Sequence, residues 1–550
     1  MKARQLEKLG IPPTMTKLAK WLASEARSAG ASLDEVRAKL KDIVSDPAAH
    51  QEDPHFGELA KGMALQRTMW THVDQGFTPR EVPAPWKQWG TDLEEQSIAQ
   101  MRAACELPIT VAGALMPDAH LGYGLPIGGV LATDNAVIPY AVGVDIACRM
   151  KLTVLDLPVK LLESEGERLT NAIEDETRFG MGVEFGRYDS RKSKRREHDV
   201  MDDDWNVSHI TREMKDKAHA QLGTSGSGNH FVEFGTFTVD DAQARDLNLP
   251  AAGVYLALLS HSGSRGTGAK VCDYYSRLAM QLHPELPKEL KHLAWLGLDT
   301  HEGQEYWAAM QLMGKYAAAN HACIHRAIAK HLGARVMLDI ENHHNFAWEE
   351  EHVIGAVKAT AGDASDSPPS QGGVRGGSGE RTTVTPDEHI DPPGASPHAA
   401  ASSNPSIQVV SPTLPPPLPK REGSKRKVIV HRKGATPAQV GVLGIIPGSM
   451  ASPGFVVRGK GVAASLESCS HGAGRVMSRT KARNTYRWPQ VRDLLEKRGV
   501  TLLSAGIDEV PFVYKNIDDV MAAQRDLVDV LGRFDPRLVK MAPEGEKAED

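Results

Sequence analysis

From about residue 95 the chain alternates short apolar runs with glycine-rich turns, and this alternation restricts it to folds built on buried strands. The runs Ile109-Thr-Val-Ala and Gly253-Val-Tyr-Leu-Ala-Leu-Leu have the length and aliphatic character of such strands. The turns carry His, Asp and Ser, which is typical of loops that a rigid scaffold holds in place for function. A stretch around residues 307–330 favours a helix. An α+β or mixed α/β domain follows.

The first 65 residues have a different pattern, which predicts a helical N-terminal extension. Leu18, Trp21 and Leu22 form an apolar stripe at helical spacing. Ser32 and Glu35 have the spacing of a capping box, which would start a second helix. The extension carries no recognisable chemistry, so we interpret it as an amphipathic hairpin that packs on the main domain or on a partner.

Residues 363–426 interrupt the alternation with a stretch rich in Pro, Gly and Ser. They contain twelve of the chain's 34 prolines, and such a composition cannot bury enough apolar surface to offset the entropy of ordering. Core-like runs resume on both sides, so we predict a disordered surface insertion. A fold tolerates such an insertion because the entropic cost of closing a loop grows only logarithmically with the length of the loop. The Pro-rich part would also suit an SH3-like partner.

The composition is that of a globular protein, with 41% hydrophobic and 24% charged residues. The net charge of -6 excludes an overall basic coat, so a nucleic-acid partner would need a local patch of Lys and Arg. The N-terminus has no secretory signal, and no run approaches the ~18 apolar residues of a membrane span. Five scattered cysteines indicate reduced thiols: Cys105, Cys148, Cys272, Cys323 and Cys469. We predict a cytoplasmic protein without membrane contact.

Histidines, an aspartate and a cysteine recur beside short polar or glycine-rich stretches. They occur in Asp145-Ile-Ala-Cys148, Asn229-His230, Ser260-His261-Ser262 and His343-His344-Asn345. Together they could hold a divalent transition metal, and their types alone fit Zn²⁺ as well as Mn²⁺. Taken singly, each could be a hydrogen-bonded or packed core residue. If His343 and His344 lie on a strand, they point to opposite faces and at most one reaches a given metal.

Two glycine-rich segments adjoin these histidines. Residues 223–228 run into His230, and residues 262–268 run from His261. Their backbone N–H groups could bind an anion, and Arg265 would add a fork for phosphate. The alternative is a pair of tight turns.

A third segment places His471 on a glycine turn, followed by Arg475, Arg479 and Lys481 at near-helical spacing. Neutral imidazole attacks phosphorus well, and the cations would stabilise the charge that develops. The segment could also be a solvated basic turn of a helix.

Eight segments occur in order over roughly residues 95–540, apart from the insertion. They are MPDAHLGYGLPIGG (116–129), AVGVDIACRM (141–150), LGTSGSGNHFVEF (222–234), SHSGSRGTG (260–268), HHN (343–345), HRKGAT (431–436), IPGSM (446–450) and SHGAGRVMSR (470–479). Together these segments resemble one family of RNA ligases, the RtcB family.

The resemblance implies a catalytic site with two Mn²⁺ ions and GTP. The implied metal ligands, with the cysteine bridging both ions, are Asp145, Cys148, His230, His261 and His344. His471 would attack the α-phosphate of GTP and carry GMP as a histidyl-GMP intermediate. The other residues that we predict to take part in catalysis are Asp118 and Arg265.

The resemblance also implies a set of nucleotide contacts. They are Asn229, Glu233, Ser449, His471, Gly472, Gly474, Tyr514 and Lys540. Tyr514 would stack on guanine, and Lys540, near the C-terminus, would match the lysine that contributes to GTP specificity. Two departures from the family pattern fall in this half: Lys540 is followed by Met541 and a charged tail, and Gly454 stands where many members carry a serine.

The implied activity is an RNA ligase that joins 2′,3′-cyclic phosphate or 3′-phosphate ends to 5′-hydroxyl ends, in tRNA splicing or RNA repair. The resemblance implies a monomer, and an archease-type activator, which many relatives need, is the protein partner that it leaves open. One alternative is a paralogue that acts as a metal-dependent RNA cyclic phosphodiesterase or end-processing enzyme. Another is a non-catalytic RNA-binding protein, which would not need this full set of residues.

The predicted organisation is a single large RtcB-like catalytic domain of the α+β class, with mixed sheets and a central metal cleft. The domain has two parts, 66–362 and 427–540. A helical extension (1–65) precedes it, the insertion (363–426) interrupts it, and a charged tail (541–550) follows it.

Overall fold

The structure is a computed structural model that describes residues 5–6, 8–12, 15–72, 77–186, 194–354 and 425–546, with the backbone alone for 65–72. The predicted disordered insertion lies outside the described residues, except for Lys425 and Arg426, which belong to a strand. The last four residues of the charged tail also lie outside them.

The described residues form helices and strands that are mixed along the chain. The α-helices are α1 (Thr16–Ser28), α2 (Leu33–Ser45), α3 (Gly57–His72), α4 (Glu95–Cys105), α5 (Pro139–Val142), α6 (Leu161–Ser164), α7 (Gly166–Glu176), α8 (His209–Gln221), α9 (Asp241–Asp246), α10 (Arg265–Leu282), α11 (His301–Leu332), α12 (Arg479–Thr485), α13 (Trp488–Arg498) and α14 (Ile517–Ala523). The strands are β1 (Trp86–Gln88), β2 (Thr110–His120), β3 (Ile127–Thr133), β4 (Ala136–Val137), β5 (Arg149–Leu155), β6 (Phe231–Val239), β7 (Gly253–Ser262), β8 (Leu296–Gly297), β9 (Val336–His343), β10 (Asn345–Val353), β11 (Lys425–Lys433), β12 (Ala435–Pro437), β13 (Leu443–Ile446), β14 (Gly454–Gly459), β15 (Ser468–Ser470), β16 (Thr501–Ser504) and β17 (Val528–Met541).

The α+β prediction is confirmed by two mixed sheets of five and eight strands. The smaller one has the order β1-β2-β3-β11-β10, with β1 parallel to β2 and the other neighbours antiparallel. The larger one has the order β13-β14-β17-β6-β7-β5-β9, and β16 pairs with β17 beside this path. The side chain of Asn342 joins the two ends of the larger sheet, because its Oδ1 accepts a hydrogen bond from the Ile445 N–H at 2.8 Å. The sheet is therefore close to a closed barrel.

The long helix α11 supplies much of the core behind the sheets. Tyr306, Met310, Met313 and Ala317 follow each other at intervals of three and four residues, and all four are fully buried. Thr300 caps the start of this helix by accepting from the Gly303 N–H at 3.1 Å, and Gly333 ends it in the left-handed region.

The N-terminal helices α1–α3 pack around a core of their own, which includes Leu22, Leu40 and Leu59. The capping box predicted at Ser32 and Glu35 is confirmed, because each side chain accepts from the other residue's N–H, at 3.2 and 2.7 Å. Helix α3 runs past residue 65, where the sequence predicts the extension to end. No helix in the described ranges is long and apolar enough to cross a membrane.

Candidate active site

The two sheets meet at a cavity of about 770 Å³. It is lined by strand ends and by the turns that follow them. The predicted site residues that line it are Asp145, Cys148, Asn229, His230, Glu233, His261, His344, Ser449, His471, Gly472, Gly474 and Tyr514. The predicted site residues that do not line it are Asp118, Arg265 and Lys540.

Adjacent strands of the larger sheet bring the predicted metal ligands together. His261 is the next-to-last residue of β7 and pairs with Phe231, the first residue of β6, and with Met150 of β5. Cys148 directly precedes β5, and His344 directly follows β9. Because these strands run antiparallel, the start of one and the end of the next lie at the same edge of the sheet. Residues far apart in sequence thus converge there.

The converging atoms are potential ligands. The Cys148 Sγ atom lies 3.1 Å from His261 Nε2 and 3.4 Å from His230 Nε2. His344 Nε2 lies 3.2 Å from His261 Nε2. Asp145 Oδ2 is buried 3.1 Å from His230 Nε2, without the geometry of a hydrogen bond. We call these five residues the donor cluster.

The protonation of the donor cluster fits a bound cation. Burial lowers the pKa of His261 to about 3 and lowers that of His344 far below its usual value. Burial raises the pKa of Asp145, but His230 and Arg265 outweigh it, so the carboxyl has a pKa below its usual value. Neutral imidazoles and a carboxylate are the forms that bind metal.

Contacts behind the donor cluster hold its side chains in place. His261 Nδ1 donates to the carbonyl of Asn229 at 3.1 Å, which leaves the lone pair of Nε2 facing the cluster. The Ser264 N–H donates to Asp145 Oδ1 at 3.0 Å. Gly263 lets Asp145 come this close, because a Cβ there would lie 2.0 Å from its Oδ2. The donors and their supports therefore fit a divalent transition metal.

The glycine-rich segments enclose Arg265 instead of lining the cavity. Arg265 is buried, with Nη1 3.3 Å from His230 Nδ1 and Nε donating to Thr224 Oγ1 at 3.2 Å. A Cβ at Gly226 would lie 2.0 Å from its guanidinium. Arg265 thus lies behind His230, where it contacts a predicted metal ligand and not the cavity.

The adjacent histidines separate as the strand pattern predicts. His344 belongs to the donor cluster, whereas His343 stacks on Trp348 with ring centroids 5.0 Å apart and accepts from Arg149 at 3.2 Å. Only His344 lines the cavity.

His471 lies beside the donor cluster, with its ring centroid 4.9 Å from that of His344. Its Nδ1 donates to Oδ2 of the buried Asp118 at 2.7 Å, and the same oxygen accepts from the N–H groups of His471 and Gly472. Burial raises the pKa of Asp118, but the bond from His471 contributes to a net lowering, so the carboxylate is ionised. The Nδ1 proton is thereby fixed, and the lone pair of Nε2 is available for nucleophilic attack.

Arg475 and Arg479, two of the three cations named after His471, are paired with two acids, Asp508 and Glu509. Arg475 Nη1 lies 3.0 Å from Glu509, and Arg479 pairs with both carboxylates. Arg483 lies 2.8 Å from Asp508. We call these five residues the arginine–acid cluster; Arg475, Arg479 and Glu509 line the cavity. Sequence reasoning missed the two acids, because nothing in their local sequence marks them.

The predicted nucleotide contacts divide into residues inside and outside the cavity. Tyr514 lines it and donates a hydrogen bond to Glu509. Glu233 also lines it, and burial raises the pKa of its carboxyl far above the usual value. Lys540 instead pairs with Glu174 and lies over the ring of Phe179. Lys433, which lines the cavity within the HRKGAT segment, was also missed as a site residue.

Comparison with known proteins identifies the family to which this site belongs. A family model described as tRNA-splicing ligase RtcB matches residues 100–361 and 418–541. The chain belongs to the RtcB family. The RtcB match contains every residue of the donor cluster, His471 and both acids of the arginine–acid cluster, and it leaves out α1–α3.

Curated members of the RtcB family are similar over most of this chain. The RNA-splicing ligase RtcB of Escherichia coli (strain K12) is 30% identical over 482 residues, covering 82% of this chain and 95% of the relative. The tRNA-splicing ligase RtcB of Archaeoglobus fulgidus is 28% identical, covering 78% and 87%. The RNA-splicing ligase RtcB homolog 1 of Entamoeba dispar is 26% identical, covering 77% of each chain.

Proposed function

We propose that the chain is a GTP- and Mn²⁺-dependent RNA ligase that joins RNA 3′-phosphate or 2′,3′-cyclic phosphate ends to 5′-hydroxyl ends. The observation that carries this proposal is the bond from His471 Nδ1 to Asp118, in a cavity that also holds the donor cluster. It leaves Nε2 as a nucleophile beside a candidate metal site. RNA binding alone would require neither feature.

In the first step Nε2 of His471 would attack the α-phosphorus of GTP. A phosphorus–nitrogen bond forms, the bond to the bridging oxygen breaks, and pyrophosphate leaves with that electron pair. Nδ1 keeps its proton, so the ring becomes cationic, and the adjacent carboxylate of Asp118 stabilises that charge. No base is needed for the attack, because Nε2 already carries a lone pair.

In the following steps the guanylate would pass to RNA. An oxygen of the RNA 3′-phosphate attacks the phosphorus of the bound GMP, and the electron pair of the breaking bond returns to Nε2. The 5′-hydroxyl of the second RNA then attacks the activated 3′-phosphate, loses its proton and displaces GMP. A 2′,3′-cyclic phosphate would first be opened by water.

We assign the donor cluster to the divalent metal, and its five residues would be the ligands that hold two Mn²⁺ ions. Bound there, the metal would act as a Lewis acid on phosphate oxygens. Because a nitrogen, sulfur and oxygen donor set also suits Zn²⁺, metal dependence is tested by adding each ion to chelator-treated protein. Arg265 would serve as a positioning residue that holds His230.

We assign the guanine end of GTP to Glu233 and Tyr514. The buried Glu233 carboxyl, which burial favours in its neutral form, would accept from an N–H group of the base through its carbonyl oxygen, and the ring of Tyr514 offers a stacking face. Lys540 already pairs with Glu174, so we assign it a smaller part in nucleotide binding than Glu233 and Tyr514. Asn229, Ser449, Gly472 and Gly474 complete the proposed nucleotide site.

The test is incubation of the chain with Mn²⁺ and GTP that is radiolabelled at the α-phosphate, followed by denaturing gel electrophoresis. We expect an acid-labile labelled band that is lost in His471→Ala. The matched control is His301→Ala, which removes a half-exposed imidazole at the start of α11. Absence of the band from folded protein, with every divalent metal and an archease-type activator supplied, would overturn the proposal.

A second candidate function is a metal-dependent RNA cyclic phosphodiesterase or end-processing enzyme. The observation that favours it is that Lys540 pairs with Glu174 and does not line the cavity, whereas all five residues of the donor cluster do. RNA with a 2′,3′-cyclic phosphate distinguishes the two. Ring opening without any protein guanylation would support the second candidate, whereas guanylation followed by joining would exclude it.

A further inference from the structure

The loop between β2 and β3 presents two apolar side chains to solvent at the rim of the cavity. The side chain of Tyr123 is 63% exposed, the most of any aromatic ring in the described part of the chain, and that of Leu121 is 49% exposed. Both residues line the cavity that contains His471. Exposed apolar groups of this size at the edge of a polar site indicate a contact surface.

The backbone of this loop is held in place on both sides of its tip. The Leu121 N–H donates to Glu94 Oε2 at 2.8 Å. The Gly122 N–H donates to Gln100 Oε1 at 3.1 Å, and Gln100 Nε2 donates back to the Gly122 carbonyl. The loop is therefore fixed by side chains of α4 and of the segment that precedes it. The apolar side chains are exposed on an ordered backbone.

Further contacts set the direction of the Tyr123 ring. Lys433 Nζ donates to the Tyr123 carbonyl, and the Tyr123 ring meets the ring of His292 edge to face with centroids 5.6 Å apart. Tyr140 supports His292 from behind at 4.8 Å. Gly124 permits the approach, because a Cβ there would lie 2.7 Å from the His292 carbonyl oxygen. The ring is thus supported by His292, and a large part of it remains accessible.

A supported, exposed aromatic ring beside a phosphate-processing site suits one kind of ligand, a nucleobase. Stacking on an aromatic face is how single-stranded RNA is bound without regard to base identity. The same stretch of chain carries Asp118, which orients His471, and Tyr123 follows only five residues later. Their Cα atoms are therefore at most roughly 18 Å apart.

We propose that Tyr123, with Leu121 beside it, is the stacking platform for a base at the reacting end of the RNA. This assignment rests on the proposed RNA ligase function. The strand would enter along the β2–β3 loop, with one base on the Tyr123 ring and its phosphate directed into the cavity. The platform reads no base edge, so it takes any terminal base and leaves sequence choice to other contacts.

The test measures binding of a short fluorescent oligoribonucleotide with a 3′-phosphate, in the absence of GTP, so that no joining takes place. Loss of one base–aromatic stack corresponds to roughly 5- to 150-fold weaker binding. We expect that loss in Tyr123→Ala and near-normal binding in Tyr123→Phe. The matched control is Trp21→Ala, which removes an exposed aromatic ring of α1 that does not line the cavity.

A second measurement separates stacking from a structural role of the tyrosine. Oligoribonucleotides that lack the terminal base are compared with intact ones, on the wild-type chain and on Tyr123→Ala. If the base stacks on Tyr123, its removal weakens binding to the wild type and has little effect on the variant. Placing the abasic nucleotide at the 3′-phosphate end or at the 5′-hydroxyl end shows which strand uses the platform.

The proposal is supported if removal of the base at either end weakens RNA binding by the wild type much more than RNA binding by Tyr123→Ala. Equal loss on intact and abasic RNA, or binding by Tyr123→Ala within about twofold of the wild type, overturns it. Neither result depends on GTP. Failure of the chain to become guanylated would count against the proposed ligase function, and the binding data would still decide the role of Tyr123.

Discussion

The donor cluster and the arginine–acid cluster both contribute residues to the lining of one cavity, and their charges are arranged in opposite ways. In the donor cluster, lone pairs of neutral imidazoles and a buried carboxylate converge, so a cation bound there would be stabilised. In the arginine–acid cluster every arginine already has a carboxylate within 3.3 Å. An anionic ligand must displace those carboxylates.

This difference shows that a ligand would add new contacts in the donor cluster, whereas a ligand of the arginine–acid cluster would replace contacts that already exist. A metal ion would add attractive contacts to the donor cluster and remove repulsion between its ligands. A phosphate at the arginines would replace existing ion pairs, so its net gain is small and depends on how well the acids are solvated afterwards. Metal affinity should therefore far exceed phosphate affinity.

The largest expected effect is at the thiol. Cys148→Ala removes the atom that approaches both His230 and His261, so we expect bound metal to fall to background and guanylation to drop more than about 100-fold. Metal content by mass spectrometry is the readout. Cys272→Ala is the control, because Cys272 is also buried but lies outside the cavity. Retention of stoichiometric metal by Cys148→Ala would contradict the assignment of the donor cluster.

The next largest effect concerns His471, which lies beside the donor cluster. Asp118→Asn keeps the shape of the side chain but removes the charge that fixes the Nδ1 proton of His471, so guanylation should slow by about 10²- to 10⁴-fold. Metal content should be unchanged, because Asp118 contacts no member of the donor cluster in the described structure. A rate within a factor of about ten of the wild type would show that the carboxylate does not orient the ring.

A smaller effect is expected from freeing the arginines. Glu509→Gln removes the acid shared by Arg475 and Arg479, so GTP should bind about fivefold more tightly, while the melting temperature falls because a buried ion pair is broken. Glu350→Gln is the control, because it breaks the pair with Arg432 outside the cavity. Weaker GTP binding by Glu509→Gln would show that Glu509 itself contacts the nucleotide.

The smallest expected effect is on the dependence of stability on pH. Burial lowers the pKa of Lys433 to about 7, and no ion pair of this lysine is found among the described residues. Between pH 7 and the usual lysine pKa, the unfolded chain binds the proton and the folded chain does not, so stability rises with pH in that window. Lys433→Met should remove this rise, which denaturant titrations at several pH values would measure. An unchanged slope would show that the lysine is charged when folded.

The donor cluster was predictable because each member belongs to a short motif at the end of a strand. The resemblance of these motifs to the RtcB family was enough to expect Cys148, His261 and His344 near one another, and the antiparallel pairing of β5 with β7 and β9 is how the structure brings them together. The fold class followed from the same alternation of strands and turns. The position of Asp145 in the donor cluster depends on Gly263, because a Cβ at that residue would collide with the Asp145 carboxylate. No pattern in the sequence encodes this contact.

The misplaced and missed residues depend on partners that are distant in sequence. Arg265 was expected to bind phosphate, but the Thr224 hydroxyl and the His230 ring hold it inside the protein. Lys540 lies on β17 with its side chain toward Glu174 and not toward the cavity. These outcomes follow from which face of a strand or helix is covered, and that is decided by tertiary packing.

The hairpin of β10 and β11 has a practical consequence for engineering. Asn345 pairs with Lys433 at the cavity end of the hairpin, and Val353 pairs with Lys425 at the other end. The two ends are about 27 Å apart, at the usual rise of an antiparallel strand. A reporter domain or affinity tag spliced into the chain between Val353 and Lys425 would thus be attached far from the histidine that we expect to be guanylated. That junction is a natural place to label the protein while its chemistry is being measured.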